Sequence, residues 1–208
     1  MADTSTSLAY MLVVLGLFLI PGPAVLLVLA RGTSGGPRVG ILTGLGIAVG
    51  DLVHTTTATL CLSAVLMTSA LAFSVVKYAG VAYLIYLGLR AFLEKNEALE
   101  MPAARIVSAP RAFRQAILVE MLNPKTALFF LAFLPQFVRL GRGSALAQFA
   151  TLGLTFVIMS AVYTSIIAIG AGAFGRWLRR HRGIGRWQGK AIGTIYIGIA
   201  LRLALQAR

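Results

Sequence analysis

Apolar and polar positions along the chain fall into six long apolar runs with polar connections between them: Leu8 to Leu29, Val39 to Met67, Leu71 to Leu89, Ala116 to Val138, Ala145 to Phe174 and Gly189 to Leu205. A hydrocarbon core of about 30 Å takes about 20 residues of helix, so the pattern predicts six transmembrane helices. The sixth run is short and ends near Arg202, whose long stem lets its charge reach the interface. Two runs are interrupted, the first by Pro21-Gly22-Pro23 and the fourth by Asn123-Pro124-Lys125. Proline removes a backbone donor, clashes with the carbonyl four residues back and pushes the preceding residue out of helical geometry. Each break also reads as a new start. Asn123 is a good N-cap with Pro124 at the first helical position, and Gly22 followed by Pro23 repeats the arrangement.

The two halves of the chain match. Lys77, Gly80 and Tyr83 recur 113 positions later as Lys190, Gly193 and Tyr196; Pro21 and Ala24 recur 103 positions later as Pro124 and Ala127. With three spans per half, the second half enters the membrane upside down relative to the first. The predicted fold is therefore an all-α membrane protein of six transmembrane helices, built as two inverted three-helix repeats with helices 1 and 4 broken at prolines. It forms a single transmembrane domain over residues 1–208, with repeat one at about 8–92, a cytoplasmic linker at about 93–113 and repeat two at about 114–205. Paired broken helices in such repeats mark a transporter's binding site near mid-depth.

Composition agrees. With 58% hydrophobic and 12% charged residues and a mean hydropathy of +0.86, the chain carries more apolar surface than a soluble core needs, so lipid must solvate it. The formal charge of +13 would suit nucleic acid, but the basic residues lie in the connections rather than on one amphipathic stretch, so no nucleic-acid partner is expected. Their distribution sets topology instead. Thirteen lie on one side: Arg31 and Arg38; Arg90, Lys95, Arg105, Arg111 and Arg114; Arg176, Arg179, Arg180, Arg182, Arg186 and Lys190. Arg139, Arg142, Arg202 and Arg208 lie on the other. Cytoplasmic loops accumulate Lys and Arg, so the thirteen are assigned to the cytoplasm and both termini face outward. The amino terminus carries only Asp3 and no basic leader region, which makes Leu8 onward a retained span. Cys61 is the only cysteine. It excludes an intramolecular disulfide and a thiolate metal cage, and in an apolar run it reads as a small buried hydrophobe.

Candidate chemistry lies at the charges inside spans. Asp51 stands twelve residues beyond Val39, about 18 Å into helix 2. An ionisable group at that depth is either functional or held in a buried ion pair, here with Lys77 or Lys125. His54 and Thr55 follow on the same face, His54 either at the site or as a hydrogen-bonded interior histidine. Gly40, Gly44 and Ala48 on that face permit close helix packing. Lys125 sits in the first turn of the half-helix opened by Pro124, where free backbone donors and the positive dipole end would suit a carboxylate. Glu120 either pairs with Arg114 or Arg111 or joins Asp51 in proton coupling. Phe129, Phe130, Phe133 and Phe137 read as packing or lipid contact, and Tyr83, Tyr86 and Tyr196 as interface aromatics. Zinc-protease, serine-hydrolase and Walker-type nucleotide motifs are absent, which leaves no metal, no cofactor and no enzyme chemistry to assign.

The chain resembles the LysE/RhtB family of bacterial amino-acid exporters. The resemblance runs through Pro21-Gly22-Pro23 with Ala30-Arg31-Gly32, Gly44 to Gly50-Asp51-Leu52-Val53-His54, Lys77-Tyr78-Ala79-Gly80 with Ala82-Tyr83-Leu84, and Asn123-Pro124-Lys125 through Leu134-Pro135-Gln136-Phe137-Val138. It departs at Ala24, where many members carry Asn or Asp. The resemblance implies a six-span exporter of the bacterial inner membrane, coupled to protons and often a homodimer, whose substrate is a small amino acid or derivative. One lysine and one deep acid suit a neutral zwitterion of leucine, threonine or homoserine type. The expected substrate-binding residues are Pro21, Gly22, Pro23, Asp51, His54, Lys77, Asn123, Pro124 and Lys125, with proton coupling at Asp51 and Glu120. The alternatives are a cation or metal exporter of the same superfamily and an intramembrane enzyme or scaffold.

Overall fold

The computed structural model describes residues 4–19, 22–68, 106–139 and 143–180, with further positions 75, 78, 81–82, 85–86, 89, 194, 197–198 and 201. Its regular elements are all helical: α1 (Thr4–Leu19), α2 (Pro23–Thr68), α3 (Ala109–Met121), α4 (Pro124–Ala132), a 3-10 turn (Leu134–Phe137) and α5 (Ala145–Arg180). Pro23–Ala64 and Ala145–Ala173 are long and apolar enough to cross a membrane, and α3 with the segment from Pro124 to Phe137, bent by 49°, has the length and composition of a broken span or a re-entrant loop. Most of the third and sixth apolar runs lie outside the described residues, including Lys77, Tyr83, Lys190, Gly193 and Tyr196, as does Pro21 of the first. The inverted repeat therefore rests on the sequence.

Both proline breaks are present. α1 ends at Leu19 and α2 begins at Pro23, with the carbonyl of Gly22 accepting from the amide of Leu26 at 3.0 Å. α3 ends at Met121 and α4 begins at Pro124, with Asn123 extended (φ −75, ψ 107) and its side chain capping the new helix. The junction between the first two runs is tighter than the sequence suggests. The helix continues through Arg31 and reverses at Gly36 alone, whose φ of 82 and ψ of 172 favour glycine. The Thr33 and Ser34 hydroxyls bond back to the carbonyls of Leu29 and Ala30, which holds the helix to that point. Pro37 then opens the second limb. In a straight helix Gly32 and Gly40 would stand about 12 Å apart, yet a Cβ on Gly40 would lie 3.0 Å from Gly32 Cα, so the two limbs fold against each other.

Small residues on the second limb of α2 admit two neighbours. A Cβ on Gly44 would meet Thr164 Oγ1 of α5 at 2.7 Å, while one on Gly46 would collide with the carbonyl of Phe113 of α3. Removing that Cβ lets the backbones approach closely, which is how helices gain contact in lipid. Among the described residues the interior is two apolar clusters. One gathers Tyr10, Val14, Phe129, Phe130, Phe133, Phe149 and Phe156; the other joins Ala24, Val28, Ile47, Ala116 and Ala168. The phenylalanine stripe is packing, with Phe130 and Phe156 edge to face at 5.0 Å between centroids. Leu154, Ile158, Val162, Ile166 and Ile169 face outward from α5, the arrangement of a helix whose far side meets lipid. Cys61 is exposed rather than buried. On a lipid-facing surface an apolar side chain gains nothing by turning inward, so the apolar run carried no information about its side.

Candidate functional site

The site forms where the two clusters meet and both proline breaks come together. Gly22 and Ala24 at the first break and Asn123, Lys125 and Thr126 at the second line one cleft with Asp51, Glu120, Ile47, Phe156, Ser160 and Tyr163. The space between these residues is about 400 Å³, part of it open to the outside of the protein.

Each polar group is placed by a nameable cause. α2 carries Asp51 inward at 1% exposure, and Glu120, equally buried, approaches it from α3. Gly50 makes the approach possible, since a Cβ there would lie 2.6 Å from that of Glu120. Asn123 does two jobs. Its Oδ1 accepts from the Lys125 amide at 3.1 Å, capping α4, and its Nδ2 donates to Glu120 Oε2 at 3.1 Å. A carboxylate only accepts and an amide N–H only donates, so both partners fix the same orientation of the Asn123 side chain. Glu120 is thus turned into the protein and away from exposed Arg111 and Arg114. His54 Nε2 donates to the main-chain carbonyl of Glu120 at 2.9 Å, and its ring stacks on Phe130 at 6.0 Å. It acts on the site by fixing α3 against α2.

Lys125 reaches back over Gly22, with its Nζ 3.6 Å from where a Cβ would stand there, and donates to the carbonyl of Leu17 at 2.8 Å. That carbonyl lies in the last turn of α1, where carbonyls lack helical partners and the dipole favours a cation. The start of one half-helix is tied to the end of another across the cleft. From α5, Ser160, Tyr163 and Thr164 complete the polar lining, and the Ser160 side chain interacts with the Asp51 carboxyl. Of the residues the sequence nominated, Gly22, Asp51, Glu120, Asn123 and Lys125 line the cleft. Pro23 and Pro124 are exposed and act by starting their helices, His54 sits behind the carboxyl pair, and Pro21 and Lys77 lie outside the described residues. The α5 hydroxyls were missed, because serine and threonine scattered in a long apolar run carry no helix-breaking signal.

A profile of the LysE type translocator family matches residues 15–207. The chain belongs to the LysE type translocators. Among translocators and other relatives, an uncharacterised membrane protein of Pseudomonas aeruginosa is 32% identical over 200 residues, covering 94% of this chain and 93% of its own. A leucine efflux protein of Klebsiella pneumoniae is 28% identical over 200 residues, covering 95% and 93%. A membrane protein of Bacillus subtilis is 30% identical over 207 residues, covering 95% and 98%. No solved structure matches the translocator. Membership makes it a membrane transport protein, in keeping with its apolar helices.

Proposed function

We propose that the protein is a secondary active exporter of a small neutral amino acid or close derivative, driven by protons moving inward across the bacterial inner membrane. The observation that carries this reading is charge of both signs in one cleft. Lys125 and the α4 amino terminus share the lining with Asp51 and Glu120, which face each other. A zwitterion requires both: donors and positive dipole ends for its carboxylate, and acids for its ammonium. Leu17, Phe18, Val25, Ile47 and Phe156 supply an apolar wall for a side chain, and relatives named for leucine efflux favour an aliphatic one.

Coupling follows from competition. The substrate ammonium and a proton contend for the same carboxyl pair, so substrate leaves outward as an external proton arrives, and the protonated pair returns inward at a lower desolvation cost. A cation exporter would also use two acids, but Lys125 in the same cleft repels a cation. The test is the purified protein in liposomes loaded with labelled amino acids, with an imposed pH difference. Expected is net release of neutral aliphatic amino acids that accelerates when the receiving side is acidified. Retention of every amino acid tested, or release indifferent to the pH difference, would overturn the reading.

A further inference from the structure

We infer that the Asp51 carboxyl is reached by protons along a hydroxyl column on α2, through Thr55 and Thr59 towards Ser63. The inference rests on the proton coupling proposed above and supplies its route.

Four buried side-chain polar atoms have no hydrogen-bond partner among the described residues: Arg31 Nε, Asp51 Oδ2, Thr55 Oγ1 and Thr59 Oγ1. Arg31 lies near the Gly36 reversal and has other contacts of its own. The remaining three occupy one stripe of one helix, four residues apart, and Ser63 continues it. All four residues of the stripe are buried, with exposures of 1%, 5%, 8% and 5%.

Thr55 and Thr59 depart from the habit of hydroxyls in this protein. In hydrocarbon a helical threonine or serine satisfies itself on the carbonyl one turn back. Thr43, Thr56, Ser63, Thr151, Thr155 and Thr164 all do so. Thr55 instead lies against Gly153 of α5, its Cγ2 and Oγ1 filling the space a Cβ would take. Leaving such groups unsatisfied costs about 1–3 kcal/mol each, and a buried polar group of this kind calls for water or an ion. Successive members of the column are separated by about 6 Å of helical rise, a gap that one bridging water spans with two hydrogen bonds.

The column points one way. From Asp51 it runs towards Thr68, the end of α2 that the distribution of basic residues places outside. That is the side from which a proton must come if it replaces a substrate leaving outward. No other titratable group stands in the column itself. Those around its inner end are Glu120 of α3, Lys125 of α4, Tyr163 of α5, Tyr10 of α1 and His54 on α2. A proton taken up from outside passes by exchange along hydroxyls and intervening waters to Asp51, and leaves to the inside when the next substrate ammonium binds.

The test compares the parent with Thr55→Val/Thr59→Val and Thr55→Ser/Thr59→Ser doubles in liposomes, measuring leucine efflux with a pH difference and leucine exchange without one. Expected is a tenfold or greater loss of pH-driven efflux in the valine double, exchange within about two-fold of the parent, and recovery in the serine double. A valine double that keeps pH-driven efflux overturns the route. So does one that loses exchange equally, since that outcome assigns the threonines to packing. Labelling covers a valine double that fails to insert. In a Cys61→Ser background, Thr59→Cys should react with an impermeant thiol reagent added outside, while lipid-facing Leu60→Cys should not. An unreactive Thr59→Cys overturns the route. If the parent shows no pH-driven efflux, the coupling reading fails first, and labelling still reports whether the column is wet.

Discussion

Lys125 Nζ and the Leu17 carbonyl, 108 positions apart, meet at 2.8 Å. The contact joins the two proline breaks, so the one cation among the described cleft residues also holds the end of α1. In the proposed export cycle, a substrate carboxylate arriving at Lys125 would compete with that carbonyl, which would link binding to release of α1.

Lys125→Ala should therefore weaken recognition of the substrate carboxylate. A charge-assisted hydrogen bond is worth about 1.5–3 kcal/mol, or roughly ten- to a hundred-fold in affinity. The half-saturating substrate concentration for exchange is expected to rise by that factor while membrane insertion stays normal. Unchanged saturation would remove Lys125 from the substrate site.

Asp51→Asn keeps the shape of the side chain and removes its charge. Concentrative efflux driven by a pH difference should disappear, with passive exchange retained in part. Glu120→Gln tests the partner and should impair the same readout. A protein with Asn at position 51 that still concentrates substrate in response to the pH difference would shift coupling to Glu120.

Helix continuity is tested by Pro23→Ala and Pro124→Ala. Each restores a backbone donor and relaxes the restriction on the residue before it, allowing the half-helices to join. Both variants are expected to insert and to transport poorly, measured as efflux per unit of inserted protein. Parental efflux from both would make the breaks structural kinks only.

Gly50→Ala and Gly16→Ala form a pair. The first places a Cβ 2.6 Å from that of Glu120, whereas the second meets nothing within 4 Å. Overpacking typically costs about 1–3 kcal/mol, and a helical Gly→Ala change in open space gains about 0.5–1 kcal/mol. Thermal unfolding in detergent should fall for Gly50→Ala and hold or rise for Gly16→Ala.

The sequence exposes what depends on local chemistry. The breaks at Pro23 and Pro124 follow from proline's geometry, and the depth of Asp51 follows from its place in an apolar run. Choices among faces are different. Glu120 turns inward because Gly50 leaves room and Asn123 supplies an amide, neither of which is visible in a pattern of apolar residues. Ser160 and Thr164 reach the cleft by the rotation of α5, and Cys61 faces outward because lipid and protein interior are equally apolar. In a membrane, hydropathy separates span from loop but does not separate inside from outside.

The two hydrogen bonds of the Asn123 amide narrow the alphabet at that position to a single letter. Aspartate would still cap α4 but would set a third acid against Glu120 and Asp51. Serine would also cap, yet it lacks the reach to hold the Glu120 carboxyl, and glutamine is one methylene too long to close back on the Lys125 amide. Where a helix restarts and where an acid points thus both pass through one side chain, and of these alternatives only the asparagine amide serves both at once.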